Sequence, residues 1–98
     1  MNIEVERKND VLVISLSGRL DANTSPLFEE KILNLENEVK DLIIDMKGLE
    51  YISSAGLRVL LAAQKKMNKL GSMKVINVCD SIMEIFEITG FIDILVVE

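Results

Sequence analysis

Strand-like and helix-like segments alternate along this 98-residue chain, and the alternation limits the available folds more than any other feature. Apolar runs typical of strands occupy 3–6, 11–16, 41–45, 73–78 and 93–97, and helical periodicity occupies 27–37, 54–70 and 80–90. A helix between two strands favours parallel pairing through a right-handed crossover, whereas the short connection between the first two strands allows only an antiparallel hairpin. The order β-β-α-β-α-β-α-β therefore predicts a single α/β domain over residues 1–98. We expect a mixed, mostly parallel sheet with an antiparallel edge strand and packed helices.

Proline and glycine indicate where the predicted helices begin and end. Pro26 suits the first position of a helix, where its missing N–H costs nothing, and the threonine and serine before it suit the cap. Gly71 and Gly90 follow the last periodic residues of the second and third helices, where glycine commonly ends a helix. The segment 46–52 contains a glycine and is predicted to be a loop that leads into the second helix.

The charge balance argues against direct binding to nucleic acid or to a membrane surface. The chain has 16 acidic against 11 basic residues, for a net charge of −5 at pH 7. Both kinds of binding rely on clustered basic residues. The N-terminus lacks the apolar run of a signal peptide, and no apolar run approaches the ~20 residues that cross a bilayer. We therefore expect a soluble cytoplasmic protein with no membrane insertion and no direct nucleic-acid partner.

The absence of histidine excludes much catalytic and metal chemistry. The sequence contains no His and one cysteine, Cys79. Without histidine, the chain has neither the Ser-His-Asp mechanism nor the commonest metal ligand. A single cysteine also excludes an internal disulfide framework and a cysteine zinc cluster. Neither a P-loop nor a G-x-G-x-x-G motif is present, so we expect no cofactor and no metal. Cys79 follows an apolar strand and is predicted to pack as a small hydrophobic side chain.

Two adjacent serines, Ser53 and Ser54, lie in the segment EYISSAGLRV (50–59), where a helix is predicted to begin. Either serine can be a helix N-cap whose hydroxyl accepts a hydrogen bond from a free backbone N–H. A nucleophilic role is disfavoured because the G-x-S-x-G pattern and a histidine base are both missing. Phosphorylation is the third alternative, since the N–H groups and dipole at a helix N-terminus favour a phosphate. The residues alone leave capping and phosphorylation open.

Four apolar residues lie just before these serines: Met46, Leu49, Tyr51 and Ile52. They can fill the core beneath the predicted loop, which is the interpretation favoured for Ile52. Any that remain exposed would form an apolar patch that binds a partner. A phosphate beside such a patch would block docking through desolvation and like-charge repulsion.

The segment DLIIDMKGLEYISSAGLRVLLAAQKKM (41–67) resembles the signature of the STAS domain, in particular that of bacterial anti-sigma factor antagonists. The family pattern is a strand ending in Asp, a short loop, and a Ser two residues before Gly-Leu at a helix start. These positions are occupied here by Asp45, Ser54, Gly56 and Leu57. The segment GRLDANTSPLFEE (18–30) resembles a second family segment, where Asp21 matches a recurrent acidic residue, although Asp21 is equally explained as a turn or capping residue. The order of elements is also similar, so the resemblance covers nearly the whole chain and implies a STAS-like fold.

The resemblance implies a regulatory switch and not an enzyme. In the family, the unphosphorylated protein binds an anti-sigma factor that is also a serine kinase, and this binding releases a sigma factor for transcription. Phosphorylation of the serine by that kinase ends the interaction, and a serine phosphatase restores it. Carried over by position, Ser54 is the phosphoacceptor in a protein that is a monomer or weak homodimer. The implied partner-binding residues are Asp21, Asn23, Met46, Leu49, Tyr51, Ile52, Ser53, Ala55, Gly56 and Leu57.

The sequence departs from the family pattern in two places. Many family members carry Asp immediately before the acceptor, whereas this chain has Ser53, which becomes a second candidate acceptor. Family members often add a C-terminal helix, whereas this sequence ends at Glu98, so apolar surface is expected to remain for a partner or a dimer.

In the alternative function, the domain is a constitutive STAS subunit that docks on an ABC-transporter ATPase or in a larger signalling assembly. The serine is then only a cap.

Overall fold

A four-stranded sheet forms the centre of the structure, a computed structural model that describes residues 1–35 and 37–98. Its strands are β1 (Asn2–Lys8), β2 (Val11–Leu20), β3 (Asp41–Ile52) and β4 (Ser72–Ile76), and they lie side by side in that order. β1 pairs antiparallel with β2, whereas β2 and β3, and then β3 and β4, pair in parallel. The predicted mixed sheet with an antiparallel edge strand is therefore confirmed.

Three helices connect or follow the parallel strands: α1 (Ser25–Leu33), α2 (Ser54–Leu70) and α3 (Asp80–Thr89). Gly71 is the C-cap of α2, and Gly90 is the left-handed C-cap of α3 with φ of +83°, as the sequence predicted. α1 begins two residues earlier than predicted and ends at Leu33. Position 36, within the predicted range of that helix, lies outside the described residues.

Alternation of apolar residues along the strands determines which face of the sheet is buried. Leu12, Ile14 and Leu16 of β2 are buried, while the residues between them are only half-buried. β3 repeats this pattern with buried Leu42, Ile44 and Met46. Leu42 pairs with Leu12 and Ile44 with Ile14, so the buried face continues from one strand to the next. The helices contribute their apolar stripes to the same core: Phe28, Ile32, Leu57, Val59, Leu60, Ala63, Met67, Ile82 and Phe86.

The segment 46–52 is strand and not the predicted loop. β3 continues to Ile52 because β2 also continues to Leu20, so the two strands keep a partner along their full length. The pairing is irregular, with register shifts at Ser15/Ser17 and Gly18/Arg19. These irregularities accommodate the polar and glycine residues that suggested a loop.

The predicted last strand, 93–97, is reduced to a single parallel bridge between Val97 and Val75 of β4. A 3₁₀ turn over Phe91–Asp93 follows Gly90, and Ile94 keeps helical backbone angles. The chain therefore becomes extended only near its last residues. There the Val75 N–H donates to the Val96 carbonyl at 2.8 Å, and the Glu98 N–H donates to the Val75 carbonyl at 2.9 Å.

Candidate functional site

The two serines at the start of α2 have different positions. Ser53 is the N-cap, with extended backbone, and its Oγ accepts a long hydrogen bond of 3.5 Å from the Gly56 N–H. Its carbonyl accepts a bond of 3.0 Å from the Leu57 N–H. Ser54 is the first helical residue, it is exposed, and its hydroxyl has no hydrogen-bond partner among residues 1–35 and 37–98. Capping therefore belongs to Ser53, and the Ser54 hydroxyl makes no hydrogen bond with the described residues.

Gly56 allows the start of α2 to lie directly on the ends of β2 and β3. A Cβ at this position would come within 2.8 Å of the Leu20 side chain and 2.9 Å of the Ile52 side chain. Real Cβ atoms do not approach other atoms that closely, so only glycine fits without a shift of its neighbours. The first turn of α2 is held against the sheet by this contact, and Ser54 points into solvent from a rigid support.

Asp21 builds the turn between β2 and α1. Its carboxylate Oδ1 accepts hydrogen bonds from the backbone N–H groups of Asn23 at 3.0 Å and Thr24 at 3.1 Å. Its own carbonyl accepts from the Ser25 N–H at 2.8 Å. The bond from the Thr24 N–H is the main cause that lowers the pKa of the Asp21 carboxyl below its usual value. Asp21 thus has the turn role that the sequence left open for it.

The ends of β2 and β3 bring the Asp21 turn and the paired serines together. The Ser53 N–H donates to the carbonyl of Leu20, the residue before Asp21, at 2.9 Å. Arg19 of β2 pairs with Tyr51 of β3, next to the pair formed by Leu20 and Ile52. The Arg19 guanidinium lies 4.2 Å from the centre of the Tyr51 ring. The segments 18–30 and 41–67, which are distant in sequence, therefore meet at one edge of the fold.

Four of the predicted partner-binding side chains belong to the core. Met46, Leu49, Ile52 and Leu57 have exposed fractions of 0%, 2%, 2% and 8%, so they are not part of an accessible patch. Gly56 is buried as well. In this part of β3 the buried residues Met46, Leu49 and Ile52 are three apart, because each of the two register shifts against β2 adds one residue to β3. Leu57 and Gly56 belong to the face of α2 that packs on the sheet. The remaining predicted residues are exposed or half-buried, and we call them the Ser54 surface: Asp21, Asn23, Tyr51, Ser53, Ser54 and Ala55.

Two arginines beside the Ser54 surface were missed at the level of sequence. Arg19 is exposed and reaches Tyr51 because the two residues pair across β2 and β3. No sequence pattern reveals that pairing, because it depends on a register that contains two shifts. Arg58 is exposed on α2, four residues after Ser54, and the helical spacing alone could have indicated it.

Cys79 is exposed, so the prediction that it packs as a small hydrophobic residue is wrong. β4 ends at Ile76, and the left-handed backbone of Asn77 turns the chain outward before Cys79 caps α3. The thiol lies 3.3 Å from the Ser81 hydroxyl, and this contact is the main cause that lowers the pKa of Cys79.

Neither a metal site nor a membrane span is found in the described part of the chain. Residues 1–35 and 37–98 contain no group of three or more Asp, Glu or Cys side chains placed to hold a metal ion. Within the same ranges, none of the helices has both the length and the apolar character needed to cross a bilayer.

Comparison with known proteins establishes the family of this fold. The family model of the STAS domain matches residues 2–98. The chain belongs to the STAS domain family. An anti-sigma-B factor antagonist from Bacillus subtilis (strain 168) is 30% identical to this STAS domain over 96 residues, or 97% of this chain and 88% of the relative.

Solved structures agree with this assignment. An anti-sigma factor antagonist from Mycobacterium paratuberculosis superposes with a TM-score of 0.87 and 27% identity, over 98% of this chain and 83% of that chain. SpoIIAA in its unphosphorylated form gives a TM-score of 0.82 with 18% identity, over 99% of this chain and 88% of that chain. The phosphorylated form of Bacillus SpoIIAA gives 0.78 with 19% identity, over 99% and 91%. The two SpoIIAA structures show that this chain and SpoIIAA have the same fold.

Within this STAS domain, the aspartate of the family pattern has a structural role. The Asp45 carboxylate accepts hydrogen bonds of 3.0 Å from the Lys47 N–H and from the Asn77 side-chain amide. It thereby links β3 to the turn after β4. The family pattern in 45–57 thus combines a link between strands, a glycine that permits close packing, and an exposed hydroxyl.

Proposed function

We propose that this STAS domain is an anti-sigma factor antagonist whose protein-binding surface is switched by phosphorylation of Ser54. In its unphosphorylated form it binds an anti-sigma factor that is also a serine kinase, and a sigma factor is released. The names of the relatives at 27–30% identity support the antagonist function. The observation that carries the switch is the free, exposed hydroxyl of Ser54 beside a capping residue that is a different serine.

The modification itself is a phosphoryl transfer carried out by the partner kinase. The Ser54 Oγ forms a bond to the γ-phosphorus of ATP as the bond to the ADP oxygen breaks. ADP leaves, and the hydroxyl proton passes to a base on the kinase. The STAS domain contributes an accessible nucleophile on a rigid support and needs no catalytic group of its own. A serine phosphatase reverses the modification by hydrolysis.

The magnitude of the switch shows which physical effect must operate. A thousandfold change in partner affinity requires ~4 kcal/mol. The dipole of α2 contributes only about 0.3–1 kcal/mol and would stabilise the phosphate without expelling the partner. Most of the loss in affinity must come from placing a charge of about −2 inside the interface, where burial of a dianion is costly and one basic side chain offsets only part of its charge.

The Ser54 surface supplies a suitable contact area for a folded partner. Tyr51 presents an aromatic ring with 37% exposure, and the Arg19 guanidinium lies 4.2 Å from the centre of that ring. The Asp21 carboxylate accepts hydrogen bonds from the backbone N–H groups of Asn23 and Thr24, so the backbone of this turn loses little conformational entropy when a partner binds. The surface is therefore arranged before the partner arrives.

Binding measurements on Ser54 variants test the proposal. We expect Ser54→Asp to weaken binding to the anti-sigma factor of the same organism at least tenfold, and Ser54→Ala to bind as the unmodified protein does. Ser81→Asp is the matched control, because Ser81 is an exposed serine in the first turn of a different helix, α3. Isothermal titration calorimetry gives the dissociation constants of the unmodified protein and the three variants. Equal affinities for Ser54→Asp and Ser54→Ala would exclude the switch.

Intact-mass and phosphosite measurements on protein from its native cells test the modification directly. The switch predicts a species heavier by one phosphate, with the phosphate on Ser54. Only unmodified protein across growth and stress conditions would favour the constitutive subunit, in which the same surface is a permanent interface. A phosphate on Ser53 would instead move the acceptor by one residue, to the N-cap.

A further inference from the structure

Arg58 is placed to reach the same turn of α2 as Ser54. The two residues are four apart in α2, so their Cβ atoms lie on one face of the helix. Long side chains in a helix lean toward its N-terminus, which directs the Arg58 guanidinium back over the first turn. Arg58 is exposed and forms no hydrogen bond or ion pair within residues 1–35 and 37–98. Its charge is therefore uncommitted.

A groove beside this turn contains an unsatisfied polar atom. The groove has a volume of about 250 Å³ and lies between α1 and α2. The residues that line it are Ala22, Ser25, Pro26, Glu29, Ala55, Arg58 and Val59. Ser25 is only 4% exposed, and its hydroxyl has no hydrogen-bond partner in the described part of the chain. Buried hydroxyls are normally paired, so the unpaired Ser25 hydroxyl marks a polar position within the wall of the groove, although its oxygen has almost no accessible surface.

We infer that Arg58 binds the phosphate carried by Ser54 within the same helix, at the mouth of this groove. The inference rests on the proposed acceptor and adds what happens to the phosphate after transfer. A guanidinium presents two parallel N–H donors that match the oxygens of a phosphate. The N–H groups of Ser54 and Ala55, which have no helical carbonyl one turn earlier, favour the same anion, whereas the Gly56 N–H donates to the Ser53 Oγ.

Glu29 on α1 is the competing partner for Arg58, because its carboxylate lines the same groove. The two side chains are not ion-paired within the described residues. A phosphate carries about −2 charge and three acceptor oxygens, whereas Glu29 carries −1 and two. Arg58 therefore pairs with the phosphate once Ser54 is modified.

This ion pair would extend the lifetime of the phosphorylated state. A phosphatase must separate the phosphate from Arg58 before hydrolysis, so removal of the guanidinium should accelerate dephosphorylation. The kinase reaction would be less affected, because the phosphate does not yet exist when the substrate binds. Arg58 is thus a positioning residue for the phosphate and not part of the contact surface itself.

A titration of the phosphoserine tests the inference without any kinase. Phosphoserine is inserted at position 54 during translation, and its second pKa is followed by ³¹P NMR in the full chain. We expect this pKa to be lower in the wild-type background than in Arg58→Gln by about half a unit, because an opposite charge nearby favours the dianion. The difference should shrink in 1 M salt, where charges on the surface are screened.

Lys65→Gln is the matched control, since it removes one exposed positive charge from α2 almost two turns away from Arg58. It should leave the phosphoserine pKa within about 0.1 unit of wild type, while Arg58→Lys should fall between wild type and Arg58→Gln. Equal pKa values in wild type and Arg58→Gln, or equal shifts in Arg58→Gln and Lys65→Gln, would overturn the inference. Either result would leave the proposed switch intact, because partner binding is measured separately.

Discussion

Ser53 and Ser54 are adjacent in sequence, but only the Ser53 hydroxyl caps the helix, whereas the Ser54 hydroxyl is exposed. Both lie at the start of α2, but the N-cap position gives the Ser53 hydroxyl an N–H partner, whereas position 54 begins the helix and faces solvent. The sequence predicted a helix start here and left both serines as candidates for both roles. The assignment depends on the helix boundary, which sequence patterns locate only to within a few residues.

Removal of the Ser53 hydroxyl should cost little stability. The cap hydrogen bond to the Gly56 N–H is long, at 3.5 Å, so Ser53→Ala should lower the free energy of unfolding by about 0.5 kcal/mol, the small end of the capping range. Ser54→Ala should change it by less than that, because the hydroxyl makes no hydrogen bond in the described residues. Urea unfolding measures both. A larger loss for Ser54→Ala would reverse the assignment of the two serines.

Asp21 should make part of the stability dependent on pH. Hydrogen bonds from Thr24 and Asn23 favour the charged carboxylate, so its pKa in the folded state lies below the unfolded value of about 3.9. A depressed pKa gives stability that is present above the unfolded pKa and is lost as pH falls through the folded pKa. Asp21→Asn should therefore be less stable than wild type at pH 7, and the gap should narrow toward pH 3.

Urea unfolding midpoints at several pH values measure the difference in stability between wild type and Asp21→Asn. Asp10→Asn is the control, because Asp10 is an exposed aspartate whose carboxylate makes no hydrogen bond with residues 1–35 or 37–98. Its difference from wild type should change less with pH than that of Asp21→Asn. A gap for Asp21→Asn that stays constant from pH 7 to pH 3 would show that the hydrogen bonds do not depend on the charge.

At the scale of elements, periodicity predicted the three helices and the first four strands, and it failed where pairing decides the structure. Lys47 and Gly48 interrupt the apolar run after Met46, so 46–52 looked like a loop. In the structure these residues pair with β2 across two register shifts, which local sequence does not encode. The prediction of the last strand was wrong because the residues after Gly90 have the apolar composition of a strand but form a 3₁₀ turn. Only Val97 pairs with β4, through a single bridge to Val75.

The junction between α2 and β4 should tolerate no side chain at Gly71. A Cβ there would overlap the carbonyl oxygen of Lys40, which also accepts the Ser72 N–H at 2.8 Å. Gly71→Ala must therefore move backbone, at a cost of about 1–3 kcal/mol. Gly90→Ala is the control: its Cβ would meet no atom, and only the φ of +83° would cost about 1 kcal/mol. Urea unfolding should rank Gly71→Ala as the more damaging change.

At the scale of the whole molecule, buried core residues and exposed residues of the Ser54 surface interleave along the chain. The family pattern predicted a site in 45–57, and the fold places the segment 18–30 beside it through the hydrogen bond from the Ser53 N–H to the Leu20 carbonyl. The pattern could not separate Tyr51, which is exposed, from Leu49 and Ile52, which are buried. That separation depends on the side of the sheet that each residue faces and on the helices that cover it.

Leu49→Ala and Tyr51→Ala should therefore act through different quantities. Leu49 is 2% exposed, so its truncation should cost about 2–5 kcal/mol of unfolding free energy, while the molecules that remain folded bind the partner normally. Tyr51→Ala should cost about 1 kcal/mol or less in stability and should weaken binding. Urea unfolding and calorimetry on the same samples separate the two effects. Weaker binding by fully folded Leu49→Ala would place this residue in the interface.

The interleaving of buried and exposed residues also bears on how such domains diversify. Substitutions at exposed positions usually change stability by no more than about 0.5 kcal/mol, so an exposed residue of the Ser54 surface such as Asn23 can vary without loss of the fold. The support beneath them, with Gly56 against Leu20 and Ile52, is fixed by packing. A duplicated gene could thus acquire a new partner through a few surface mutations, and two signalling pathways in one cell could remain insulated while sharing the same scaffold.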